Sequence, residues 1–281
     1  MIAYRSRRLV VMLAAVAASG CGGRIDRNDP INTAPWELSE VEVYILSGQS
    51  NCVGVASPVE NLTIAERSAD SGYHVWETLG DPIESSTNAW VGGGPTRPMF
   101  GPELFFGKTM SGAGRNAALI KYAVSGAGLE ARFLPQRNDL YPKLVAEVHR
   151  ALEQIPLPYR IAGLVWVGSE ADGGALESAQ RWSQNFASFT SAFRGEFGSN
   201  VPVFFSRLGL FMVYDAPAAL MACYLEQTQY ANNCPNCWMT DVDDLSVVWN
   251  FPGSADGLHY DWASQRKLGT RLAESALFRP N

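Results

Sequence analysis

Residues 41–54 read Val-Glu-Val-Tyr-Ile-Leu-Ser-Gly-Gln-Ser-Asn-Cys-Val-Gly, a β-branched apolar run that breaks off in small and polar residues. A run of this kind marks a strand buried on both faces, so it predicts the first strand of a helix-covered parallel sheet, with Ser50 at its carboxyl end. Helices close both faces of such a sheet, and chemistry collects where the strands end. Gly48 permits a tight turn or the close approach of a ligand, and a helix starting after Ser50 would aim free N–H groups at a carbonyl oxygen. Two roles are open for Ser50 from this stretch: a nucleophile, or the cap of that helix.

The chain beyond repeats the pattern. Residues 117–124 are a second strand candidate and end in Ser125-Gly126-Ala127-Gly128; residues 161–167 are a third and end in Gly168-Ser169-Glu170-Ala171-Asp172. Residues 201–208 suit a fourth strand and 245–249 a short last one. Between and after them, residues 140–155, 176–197 and 262–277 carry apolar side chains at helical spacing, and Pro102-Glu103 suits the first turn of a helix. Alternating strands and helices predict an α/β fold with helices on both faces of the sheet, in a single domain. Residues 57–96, rich in Gly, Ser and Pro, read as long loops, with Trp76 and Trp90 exposed on them as platforms for sugar rings or else buried in the core; residues 211–244 read as an irregular insertion. His149 falls beside the apolar stripe of its helix and reads as structural.

The N-terminus is a separate matter. Arg5, Arg7 and Arg8 precede ten apolar residues, too few to span a bilayer, and Ser19, Gly20 and Cys21 follow. Residues 1–20 therefore predict a secretory signal. Ala18-Ser19-Gly20-Cys21 resembles the bacterial lipobox, with Ala18 where Leu is usual, so Cys21 is either a lipidated mature N-terminus or lies just beyond an ordinary cleavage site. Residues 21–40 then form a polar tether, and residues 41–281 the folded domain of an exported envelope lipoprotein whose contact with membrane is its lipid anchor. Without residues 1–20, the 22 basic residues fall to 19 against 28 acidic, a net charge of −9 that repels phosphate backbones and argues against nucleic acid. Of the remaining cysteines, Cys52, Cys223, Cys234 and Cys237, the last three cluster in sequence; at least one disulfide is expected there, with zinc at Cys234-Pro-Asn-Cys237 as the minor alternative.

A serine hydroxyl needs an imidazole to take its proton, and the imidazole needs a carboxylate to fix its tautomer. The chain has three histidines, and His259 has Asp256 three residues before it. Gly48-Gln49-Ser50-Asn51, Phe100-Gly101-Pro102-Glu103, Trp166-Val167-Gly168-Ser169-Glu170-Ala171-Asp172 and Asp256-Gly257-Leu258-His259 occur in the order seen in the SGNH-hydrolase superfamily, and most resemble sialate O-acetylesterases and family-six carbohydrate esterases. The resemblance implies a flavodoxin-like three-layer αβα sandwich with about five parallel strands. It implies Ser50 as nucleophile, His259 as base, Asp256 as its partner, and the Ser50 and Gly126 N–H groups as oxyanion donors, with Gln49, Asn51, Glu170 and Asp172 in support. Acetylated carbohydrate is the implied substrate, with no metal or organic cofactor. One departure stands out. The family reads Trp-x-Gln-Gly-Glu-x-Asp, its Gln side chain completing the oxyanion hole, where this chain has Gly168-Ser169. The Gly168 N–H or the Ser169 hydroxyl is left to substitute, or turnover is slow or lost, which would leave a carbohydrate-binding lipoprotein; a lipid or thioester hydrolase would use the same three catalytic residues.

Overall fold

The computed structural model describes residue 36 and residues 39–212, 215–249 and 257–279. The signal, most of the tether including Cys21, and Asp256 lie outside the described residues.

The apolar run forms β1 (Val41–Gly48), buried along its whole length. It is flanked by β5 (Ala117–Ala123) and β6 (Tyr159–Val167), both parallel to it. Outward on one side lies β2 (Asp70–Leu79); on the other lie β7 (Val203–Ser206) and β8 (Cys237–Thr240). The six parallel strands run β2-β5-β1-β6-β7-β8, and two short antiparallel strands, β3 (Ser85–Ser86) and β4 (Val91–Gly93), pair with β2. From β1 the chain passes out to β2, returns to β5 between the two, and then crosses to β6 on the other flank of β1. That reversal leaves a crevice beyond the carboxyl ends of β1 and its neighbours. Register makes those ends level, since Gly48 stands opposite both Ala123 and Val167. Gly48 is obligatory here: its φ is +147°, and a Cβ would fall 1.8 Å from the Val167 carbonyl oxygen.

Beyond the short helices α1 (Ser50–Val53) and α2 (Ile64–Arg67), longer helices cover both faces. On one side α3 (Pro102–Gly112) and α8 (Trp262–Leu277) pack together, so closely that a Cβ on Gly269 would fall 2.3 Å from the Pro102 carbonyl. Phe106 of α3 meets Tyr44 of β1 edge-on. On the other side lie α4 (Leu140–Leu152), α6 (Trp182–Phe197) and α7 (Pro217–Asn233), where Trp166, Phe186, Phe189, Phe205 and Tyr230 interlock. Edge-to-face aromatic clusters of this kind bury much apolar area per residue and dominate such a core.

Among the described residues the sheet holds eight strands, six of them parallel, rather than about five. The stretch expected as loops contains β2, which is central enough that Trp76 is fully buried and Trp90 only 7% exposed. Neither tryptophan is a surface platform: the Trp76 indole donates to Glu147 and that of Trp90 to the Ala151 carbonyl. The expected irregular insertion contains α7 and β8, whereas residues 245–249 contribute an isolated bridge, Val247 to Tyr260, in place of a strand. The helix expected over 176–197 is two, α5 (Leu176–Gln180) and α6, separated at Arg181. Cys234 and Cys237 form a disulfide, and Cys52 and Cys223 are free and buried. His149 lies on α4, where its ring bonds to Glu196 on the surface. Among the described residues no helix is long and apolar enough to cross a membrane, and no three His, Cys, Asp or Glu side chains converge as a metal site.

Candidate active site

Three strand ends build the site. After β1 comes α1 (Ser50–Val53), with Ser50 as its first residue, held at the turn by extended Gln49. After β5 comes Gly126, at φ +70° with open space beside it. After β6 comes the loop 168–172. Together with the C-terminal segment they enclose a cavity of ≈480 Å³ lined by Gln49, Ser50, Val55, Ser125, Gly126, Glu170, Ala171, Leu258 and His259. Ser50 and His259, from opposite ends of the chain, share this cavity, as the motif spacing requires. A hollow of ≈530 Å³ beside the disulfide, lined by Arg194 and Tyr230 among others, contains no histidine.

Asn51 ties the parts together. Its amide nitrogen donates to Glu170 (2.6 Å) and to the Leu258 carbonyl (3.0 Å), and its amide oxygen accepts from Tyr260 N–H (2.9 Å). Its own carbonyl accepts from Gln265 of α8 (2.8 Å). On the other side of Ser50, the Gln49 side chain is buried and accepts from the Ala171 N–H at 3.2 Å. Glu170 also receives the Ser169 N–H (3.0 Å), so it is a brace between loops, with both oxygens engaged. Asp172 accepts the Leu129 and Glu130 N–H groups at 2.8 and 3.0 Å. Burial nevertheless pushes its carboxyl up to about 6, against which those two N–H bonds act.

The Gly168-Ser169 departure has a structural answer. Gly168 packs against Gln49, where a Cβ would come 3.1 Å from both the Gln49 backbone nitrogen and Cγ. Ser169 is fully buried at φ +147°, a conformation natural to the family's Gly and strained for Ser. Its hydroxyl accepts from the Trp182 indole and from the Gln227 amide, each at 2.9 Å. Neither Gly168 nor Ser169 is among the residues lining the cavity, so neither stands in for the missing Gln donor.

Beneath α1 lies a cluster that sequence reasoning missed. Lys121 of β5 is fully buried and sits 2.6 Å from Glu103 and 3.1 Å from Glu77. Lys121 Nζ and Arg97 both donate to the Val53 carbonyl at the end of α1. The Glu103 carboxylate in turn accepts the Gly101 N–H (2.9 Å), so Phe100-Gly101-Pro102-Glu103 docks α3 under the serine helix. A lysine inside Ala-Ala-Leu-Ile-Lys-Tyr-Ala was the available signal, because an unpaired charge is not tolerated in a strand buried on both faces. Cys52, beside this cluster, is held as a thiol: burial pushes it up to about 12.

A mostly parallel sheet walled by helices, with a serine and a histidine lining one cavity beyond its central strands, defines a three-layer α/β protein of hydrolase-like architecture. The chain belongs to the family described as carbohydrate esterase, sialic acid-specific acetylesterase, whose model matches residues 40–278. A comparison with curated proteins finds no sequence match. Among solved structures it resembles a protein from Arabidopsis thaliana (TM-score 0.64, 16% identity, 85% of this chain and 98% of that one). It also resembles NanS (TM-score 0.61, 15% identity, 85% and 97%). A carbohydrate acetylesterase from Xanthomonas citri is similar over 84% of this chain, which spans 55% of that longer protein (TM-score 0.57, 15% identity). At these identities the likeness is one of fold.

Proposed function

We propose that the chain is a serine esterase that removes O-acetyl groups from carbohydrates such as acetylated xylan or sialic acid. The observation that most supports this is the meeting of Ser50 and His259 on one cavity at the carboxyl edge of the sheet. Ser50 Oγ attacks the ester carbonyl as His259 takes its proton, and Asp256, three residues earlier in sequence, steadies the imidazole. The oxyanion rests on the Ser50 and Gly126 N–H groups, both residues lining the cavity. As the C–O bond breaks, His259 gives the proton to the departing sugar oxygen, which leaves as a hydroxyl. Water, deprotonated by His259, then attacks the acetyl-enzyme and releases acetate, restoring Ser50. The mechanism calls for no metal or organic cofactor. An oxyanion hole one donor short costs on the order of a hundredfold in rate, so a slow enzyme is expected.

The test is Ser50→Ala on 4-nitrophenyl acetate, with acetylated xylan and acetylated sialic acid as natural substrates. A fall of roughly a thousandfold or more is expected; undiminished hydrolysis would remove Ser50 from the mechanism. Glycan binding without hydrolysis would mark a carbohydrate-binding protein of the same fold, and a preference for long acyl chains a lipid or thioester hydrolase. The basic, apolar and small-residue sequence of residues 1–21 supports export and lipid anchoring at Cys21, which palmitate labelling of wild type against Cys21→Ser would test.

A further inference from the structure

We infer that Trp182 and Gln227, neither of which lines the cavity, are positioning residues for the Ser50 nucleophile, acting through the buried hydroxyl of Ser169. The inference rests on Ser50 being the nucleophile as proposed above. Both neighbours of Ser50 in sequence are gripped by the loop that begins at Ser169: Gln49 by the Ala171 N–H (3.2 Å), and Asn51 by the Glu170 carboxylate (2.6 Å). Whatever fixes that loop therefore fixes the turn carrying the hydroxyl.

The loop is fixed from behind. The Trp182 indole N–H and the Gln227 amide each donate to Ser169 Oγ at 2.9 Å. Gln227 is itself held by the Leu208 N–H at its amide oxygen (2.7 Å), which also settles which amide atom faces Ser169. All three side chains are fully buried. Trp182 starts α6, Gln227 lies in α7 and Leu208 follows β7, so three elements converge on one serine.

Two buried donors without an acceptor are expensive, and so is a serine at φ +147°. Each cost is met only in the presence of the other partner: the hydroxyl satisfies both donors, and both donors hold the hydroxyl in a strained backbone. A glycine at this position, as the family has, would leave the indole and the amide unpaired. Ser169, Trp182 and Gln227 are thus a coupled set, and the replacement of Gln-Gly by Gly-Ser marks a loop held rigidly from its buried side.

The experiment measures 4-nitrophenyl acetate hydrolysis by Trp182→Phe, which keeps a ring against Phe186 and removes the indole donor, and by Gln227→Leu and Ser169→Ala. Each is assayed well below its own unfolding midpoint. Each lowers kcat by roughly tenfold with KM within about twofold, as expected for a displaced nucleophile. Trp182→Phe or Gln227→Leu added to Ser169→Ala costs nothing further, because the shared acceptor is already gone. Unchanged kcat in the folded single variants, or losses that multiply on the Ser169→Ala background, would overturn the inference. Hydrogen exchange at the Ala171 amide gives a readout independent of turnover: it quickens by roughly tenfold or more in Gln227→Leu, and unchanged exchange likewise overturns the inference. Ser50→Ala separates the two ideas, since hydrolysis that survives it counts against the nucleophile itself while leaving the exchange result standing for the loop.

Discussion

Lys121→Met is the perturbation with the most to say about how the serine helix is supported. The lysine is fully buried, 2.6 Å from Glu103 and 3.1 Å from Glu77. Without it, Glu77 keeps Arg97 at 3.5 Å and the Thr96 hydroxyl at 2.8 Å, whereas Glu103 keeps an N–H bond from Gly101. Removing one partner from a buried ion pair costs about 3–5 kcal/mol, because a charge is left without compensation. For a domain of this size that corresponds to a fall of roughly 6–20 °C in melting temperature. The deficit depends on pH. In the wild type Glu77 is held below the ordinary carboxylate value: burial pushes it up most strongly, and Lys121, Arg97 and Thr96 together outweigh burial. A depressed folded value means stability present above the unfolded pKa and lost as pH falls through the folded one. In the variant burial prevails and the folded value rises, so the penalty is largest near neutrality and is relieved by protonation. Urea unfolding should therefore show the gap between wild type and Lys121→Met narrowing as pH drops from about 7 to about 4. A gap below about 1 kcal/mol, or one constant across that range, would refute the picture of Lys121 as counter-charge.

Ser169→Ala should destabilise more than Ser169→Gly. Both lose two buried hydrogen bonds, but glycine alone relieves the positive φ, by roughly 1 kcal/mol, which denaturant midpoints would resolve. Asp172 has a folded pKa of about 6, raised by burial from 3.8, so its ionisation opposes folding above pH 6 and the opposition is relieved as pH falls toward 4. Relative to Asp172→Asn, the wild type should gain on the order of 2–3 kcal/mol between about pH 7 and pH 4, measured by unfolding at each pH. Replacing Cys234 and Cys237 by serine should cost roughly 2 kcal/mol or less in thermal melts, because the disulfide closes a loop with a sequence separation of only 3.

The parts of the fold legible in the sequence were those whose burial is two-sided and apolar. The run now seen as β1, and the core of β5 and β6, announce themselves because both faces are covered and nearly every residue is hydrophobic. What stayed hidden are elements whose burial is satisfied by polar partners. β2 carries Glu77 and His74 inside the protein, which makes its sequence look like loop; Glu77 is acceptable there only because Lys121 lies opposite it on the neighbouring strand. Trp76 looked like a surface aromatic for the same reason, its indole being matched by Glu147 from α4. In α7 the amphipathic signal is weak because Gln227, polar yet fully buried, sits where an apolar residue would ordinarily face the core. The serine and histidine candidates were legible as motif ends, and they do share a cavity. Asn51 and Glu170 are expected in support, but their partners, Gln265 among them, were not legible, because those atoms are brought together only by the completed chain.

Asn51 reaches across to Leu258, Tyr260 and Gln265, all in the last stretch of the chain. During synthesis the serine turn emerges long before these contacts exist. A molecule halted before Leu258 would have its central strand and yet neither His259 nor any C-terminal grip on that turn. The cavity is thereby completed only when the final helix docks, so an unfinished molecule carries Ser50 on an open, unbraced turn.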